Sequence, residues 1–165
     1  MADVFTKAKR SEVMSRIRSR GNKGTELALV RLLRLHHITG WRRQVALSIR
    51  SSRGHETQTD GRQRGKPVRA SSRRLLRVRP DFVFPKRRLA VFVDGCFWHG
   101  CPKHGTQPAH NRAFWRRKFT ANKTRDRLVT RTLRRRGWRV LRIWEHELTR
   151  KNQARLLRRI RRALS

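Results

Sequence analysis

Five consecutive apolar residues, Leu89-Ala90-Val91-Phe92-Val93, set the tightest limit on how this chain folds. The run has the length of a strand and no polar alternation, as in a sheet covered on both faces. Asp81-Phe82-Val83-Phe84 reads as a strand just before it, with a turn at Pro85-Lys86-Arg87. Upstream, Thr25 and Glu26 open ELALVRLLRL, whose Leu29, Leu32 and Leu33 share a helical face, with Gly40 as the expected stop. Residues 44–49 read as a strand. Residues 50–77, rich in Ser, Gly, Gln and Arg, read as a flexible basic insertion, either a phosphate-contacting arm or a tolerated loop. Order is expected to return at Arg79. From Asn111 to Arg136 the pattern is a long basic helix broken by Gly137. Val140, Leu141, Ile143 and Trp144 form a further strand, and Leu156, Leu157, Ile160 and Leu164 mark a terminal amphipathic helix. This order predicts a single α/β domain over residues 1–165, with helices against a mixed sheet.

Charge selects the partner. Lys and Arg total 45 against 10 acids, a formal net charge of +35 in 165 residues. A chain so basic repels itself unless an anion binds, and nucleic-acid phosphate is the expected anion. An arginine-rich composition also follows from a GC-rich genome, which leaves the sign of the surface field unchanged. No apolar run approaches the roughly 20 residues of a membrane helix, and the opening MADVFTKAKR has no signal-peptide core. A cytoplasmic protein with reduced cysteines is expected.

With acids so scarce, their positions are informative. Asp81 begins one strand and Asp94 ends the next, so a hairpin brings them to the same end, where carboxylates suit a divalent cation. Such a cation polarises a phosphodiester and acidifies a water. His99, five residues beyond Asp94, suits a general base on that water. Asp126 is placed either to orient His99 or to form an ordinary helix salt bridge, and spacing does not choose. Cys96, His99, Cys101 and His104 crowd nine positions, and His146 follows a strand that could run nearby. These side chains suit a closed tetrahedral zinc site of structural type, or alternatively are reduced cysteines and satisfied histidines. Phe97 and Trp98 are neighbours on a loop and hard to bury together. Phe114 reads as core. Aromatic wedges amid basic charge suit a protein that probes weakened base pairs.

VRPDFVF, VFVDGCFWHGCPKHG, NRAFW, RDRLVTRTLRRRGWRVLRIWEHEL and the opening MADVFTKAKRSEVMSRI together resemble the very-short-patch mismatch repair (Vsr) endonucleases, over nearly the whole chain outside residues 50–77. The resemblance implies a restriction-endonuclease-like core and a magnesium-dependent cut in one strand, 5′ to the thymine of a T:G mismatch left by 5-methylcytosine deamination. It implies that Asp81 and the Val93 backbone carbonyl hold magnesium, that His99 is the base oriented by Asp126, and that Glu26 stands near the metal waters. It places Phe97, Trp98 and Trp115 beside the mismatch, and zinc at Cys96, Cys101, His104 and His146. It further implies a monomeric, nucleoid-associated bacterial protein acting on double-stranded DNA, with a MutL-type partner. Two positions depart from the best-known member: Asp94 stands where it has His, and His146 where it has Cys. Cys96 also stands where nucleases of this fold usually carry Lys, a change the family shares. A zinc-stabilised nucleic-acid binder without catalysis, and a related nuclease with another DNA substrate, are the competing expectations.

Overall fold

The computed structural model describes residues 24–50, 75–105, 108 and 111–165. The opening motif and most of the expected insertion lie outside these residues. The described chain runs α1 (Glu26–Leu35), β1 (Arg42–Arg43), β2 (Leu47–Arg50), β3 (Leu75–Val78), β4 (Phe82–Phe84), β5 (Leu89–Asp94), α2 (Arg112–Arg135), β6 (Arg139–Trp144) and α3 (Gln153–Leu164), with short 3-10 turns at Pro85–Arg87, Glu145–Leu148 and Arg150–Asn152. The main sheet has the order β1-β4-β5-β6. The β1–β4 and β4–β5 pairs are antiparallel, and β5–β6 is parallel, as the long crossover through α2 requires. The expected mixed α/β architecture is thus observed.

Both faces of the central strand are covered. Leu89 and Val91 join Phe82, Phe84 and Ile143 under α1 (Leu29, Leu32, Leu33) and α3 (Leu156, Leu157, Ile160). Ala90 turns the other way, toward Leu133 of α2 and Val78. That is why the run carries no polar alternate. Of the 24 residues of α2, only Phe119 and Leu133 are buried, one near each end, so the helix lies across the sheet as a largely solvated basic rod.

Three local expectations are corrected. First, α1 stops well before Gly40. His37 takes the left-handed conformation (φ 53°), its N–H donates to Arg34 O, and the Ile38 N–H donates to Leu33 O at 2.8 Å. These two bonds are a Schellman cap built on histidine rather than glycine, with Ile38 packed against the core. Second, the strand expected at 44–49 begins only at Leu47, as β2. Gln44 adopts φ 56° between β1 and β2, so the chain leaves the main sheet and forms a separate two-stranded sheet with β3. Third, the chain is already in a strand at Leu75–Val78, ahead of Arg79, because residues 75–78 pair antiparallel with 47–50. By contrast, α2 ends as expected: Gly137 (φ 73°) and Trp138 donate to Arg134 O and Leu133 O, again a Schellman cap. Among the described residues, no helix is long and apolar enough to cross a membrane.

Candidate active site and metal cluster

The C-terminal end of β5 gathers the candidate residues. Asp81, one residue before β4, directs its carboxylate across the hairpin, where Oδ2 accepts the Val93 N–H at 2.7 Å. Burial is the main force raising its pKa to about 6; the Val93 hydrogen bond opposes this, and the negative charges of Glu26 and Asp94 add to it. Asp94 lies at the same end, as the hairpin predicts, but its oxygens are already engaged. Arg142 Nε donates to Asp94 Oδ2 and Arg142 Nη2 to Asp94 Oδ1, both at 2.6 Å. Asp94 is therefore held in a planar fork by one guanidinium. Glu26 is buried, and its Oε2 accepts from Arg43 at 2.7 Å and Gln44 at 3.0 Å.

His99 is carried on the turn after β5. Its Nδ1 lies 2.6 Å from Asp126 Oδ2 and 3.7 Å from Asp94 Oδ1. Asp126 thus stands beside His99, and its other oxygen also meets Arg142 Nη2 at 2.9 Å. Burial works against the imidazolium, but the hydrogen bond His99 donates to Asp126 and the charge of Asp94 outweigh it, so the His99 pKa is raised above the ordinary imidazole value. Burial likewise works to raise Asp126, yet the His99 bond and the charges of His99 and Arg142 bring it below the ordinary carboxylate value. An ionised Asp126 accepts a hydrogen bond from Nδ1–H of neutral His99, the tautomer in which Nε2 carries the lone pair. Asp94 and Arg142 act electrostatically on both Asp81 and His99, and Asp94, His99 and Asp126 bring ligand atoms within 4.8 Å of one another.

Arg142 is the residue that sequence reasoning passed over. The strand was recognised from Val140, Leu141, Ile143 and Trp144. The guanidinium inside it was the available signal, since an arginine within an apolar strand needs partners. Parallel pairing sets Phe92 opposite Arg142 and Asp94 opposite Trp144, so Asp94 and Arg142 are diagonal neighbours on one face. The guanidinium also lies over the Phe92 ring, 5.1 Å from its centroid.

A second cluster sits beside the first. Cys96, Cys101, His104 and His146 place one ligand atom each within 4.8 Å of all the others. Cys96 Sγ lies 3.2 Å and Cys101 Sγ 3.6 Å from His146 Nδ1, and Cys101 Sγ lies 3.9 Å from His104 Nδ1. Tetrahedral zinc with thiolate and imidazole ligands has edges of about 3.5–3.8 Å, so these residues fit that ion. Burial, then the charge of His104, lowers the His146 pKa, which favours the neutral ring that ligation needs. Of the histidines read as possible ligands, His99 is the one turned instead to a carboxylate.

The aromatics form a third group. Phe97 meets Trp98, Trp115 and Phe119 at ring-centroid distances of 5.2, 5.1 and 5.5 Å. Phe119 is the buried base of this group. Phe114, read as core, is 46% exposed, a correction that follows from its place on the outer face of α2. The Asn122 side-chain amide donates to the Trp98 carbonyl at 2.8 Å and ties the loop to the helix.

A partly buried carboxyl, a carboxylate-backed histidine and an aromatic cluster on a strongly basic chain are, as chemistry, compatible with phosphodiester cleavage. Comparison with known proteins then narrows this class. The family described as DNA mismatch endonuclease Vsr matches residues 63–104. Its match begins within the segment read as an insertion. The type II nicking enzyme V.NaeI of Lentzea aerocolonigenes is 56% identical over 72 residues, 44% of this chain and 43% of that protein. The DNA mismatch endonuclease Vsr of Escherichia coli K12 is 43% identical over 68 residues, 41% of this chain and 44% of that one. The type II nicking enzyme V.NmeAIP of Neisseria meningitidis is 34% identical over 156 residues, covering 93% of this chain and 88% of that protein. This chain belongs to the Vsr family of DNA mismatch endonucleases. For several of these relatives the shared stretch is only about half of their length, 43% to 52%.

Proposed function

We propose that this protein nicks one strand of double-stranded DNA 5′ to the thymine of a T:G mismatch produced by 5-methylcytosine deamination. The observation that carries the reading is the 2.6 Å contact of His99 Nδ1 with Asp126, in a group where Asp94, His99 and Asp126 place ligand atoms within 4.8 Å of one another. Asp126 holds the Nδ1 proton, so His99 Nε2 accepts a proton from the attacking water. Asp81, with the Val93 carbonyl, is the position for magnesium, an ion that binds hard oxygens and keeps several waters. When bound, that ion supplies positive charge to the developing phosphorane. Glu26, fixed by Arg43 and Gln44, stands behind Asp81 and adds negative potential there. Phe97, Trp98 and Trp115 present aromatic surface that suits a base step weakened by the mismatch. Zinc at Cys96, Cys101, His104 and His146 clamps the loop carrying His99 to the turn after β6, and four protein ligands leave it no catalytic position. We further propose a monomer working on nucleoid DNA in the bacterial cytoplasm, with a MutL-type protein as its repair partner.

The test is a nicking assay with magnesium on matched duplexes holding one T:G or one T:A pair in a methyltransferase-type site. A nick confined to the thymine strand of the T:G duplex is expected. Equal cutting of both duplexes would instead indicate a nuclease for another substrate. Binding without cutting in any divalent metal would indicate a non-catalytic DNA-binding protein.

A further inference from the structure

We propose that Arg142 is a positioning residue for this reaction, fixing Asp126 so that His99 keeps one ring orientation and one tautomer. The inference rests on the proposed nuclease reading. Its ground is the way the guanidinium spends its donors. Nε goes to Asp94 Oδ2 and one Nη2 hydrogen to Asp94 Oδ1, at 2.6 Å each. Nη2 has a second hydrogen, and Asp126 Oδ1 lies 2.9 Å from it. The other Asp126 oxygen faces His99 Nδ1 at 2.6 Å. A continuous chain therefore runs from the end of β5, through β6, to α2 and the turn bearing His99.

Stability alone does not account for this arrangement. Among the described residues, Arg142 Nη1 is buried without a hydrogen-bond partner, which costs folding free energy. Buried ion pairs are commonly replaced by apolar residues without loss of stability. The gain lies in geometry. Asp94 Oδ1, 3.7 Å from His99 Nδ1, is a competing acceptor for that proton. By occupying both Asp94 oxygens and leaving Asp126 one free oxygen, Arg142 decides which carboxylate His99 addresses. The Phe92 ring beneath the guanidinium keeps the fork in plane. Lysine cannot substitute, because a single ammonium lacks the planar set of donors that spans two carboxylates.

The experiment compares wild type with Arg142→Lys, which keeps Asp94 paired with a cation. Three quantities are read: kcat and Kd on the T:G duplex, the melting temperature, and the imidazole nitrogen NMR shifts of His99, assigned by their loss in His99→Gln. Expected are a Kd within twofold of wild type, a kcat lower by tenfold or more, and replacement of the single Nδ1–H tautomer by a mixture. If Arg142→Lys fails to fold, Asp94→Asn/Arg142→Gln, which buries no charge at this pair, carries the same NMR comparison. An unchanged His99 tautomer overturns the proposal, whether kcat is kept or falls together with Kd. If wild type cuts no duplex but the tautomer still shifts in Arg142→Lys, the positioning role stands and the nuclease reading fails.

Discussion

Asp81 shows what a working carboxylate costs the fold that holds it. Its pKa of about 6 lies above the ordinary 3.8, chiefly through burial. The ionised form is therefore disfavoured in the folded state. The folded pKa exceeds the unfolded one, so the penalty is absent below pH 3.8, grows as pH rises toward 6 and is complete above it. Asp81→Asn should then stabilise the metal-free protein at pH 7 by up to about 3 kcal/mol, since the rise from 3.8 to about 6 is worth about 1.4 kcal/mol per pKa unit. Denaturant melts at pH 7 and pH 4 check this; the gain should shrink at the lower pH, while nicking is lost at both. A variant destabilised at pH 7 would contradict the burial account. Asp81, His99 and Asp126 were identifiable as single residues because acids are rare in this chain and the motifs place them. Their environments were not, because burial and neighbouring charge come from segments distant in sequence.

Helix ends carry the clearest lesson among the elements. Both α1 and α2 close with the same pair of hydrogen bonds, yet α2 uses Gly137 and α1 uses His37 at the left-handed position. A side chain is disfavoured there and glycine is not. Gly137→Ala should cost about 1 kcal/mol or more, and His37→Gly should be neutral or stabilising by a few tenths. Equilibrium denaturation of both variants tests the pair, and the same sign for both would reject the account. The Cβ added at Gly137 would meet the Arg88 guanidinium at an ordinary 3.5 Å, so the penalty is backbone conformation rather than a clash. Sequence located the end of α2 because glycine marks this conformation. It misplaced the end of α1 because a histidine there carries no such mark. The later start of β2 was missed for a similar reason, since the left-handed Gln44 stands where the strand was expected to begin.

At the scale of the whole molecule, two long-range ties hold the site together. The fork from Arg142 joins β6 to β5 across 48 residues of sequence. The cysteine–histidine cluster joins the turn after β5 to His146, 50 residues beyond Cys96. Elemental analysis should find about one zinc per chain, and stripping it should lower the melting temperature and loosen the His99 loop. Cys101→Ser, at the buried thiol, should do the same. A zinc-free protein with unchanged melting and full activity would remove the structural role.

The sequence by itself determined the local order: a central strand apolar throughout, a long basic helix stopped by glycine, amphipathic flanking helices, and motif residues crowded within a few positions. Steric preference and hydrophobic periodicity act over neighbouring residues, so they can be read along a line. Tertiary structure alone decided which partners meet. Parallel register between β5 and β6 sets Arg142 diagonal to Asp94, and the crossing of α2 brings Asp126 to both Arg142 and His99. Those contacts depend on register and on the angle at which a helix crosses a sheet. Both are settled by packing of the whole core, and no short stretch of residues encodes them.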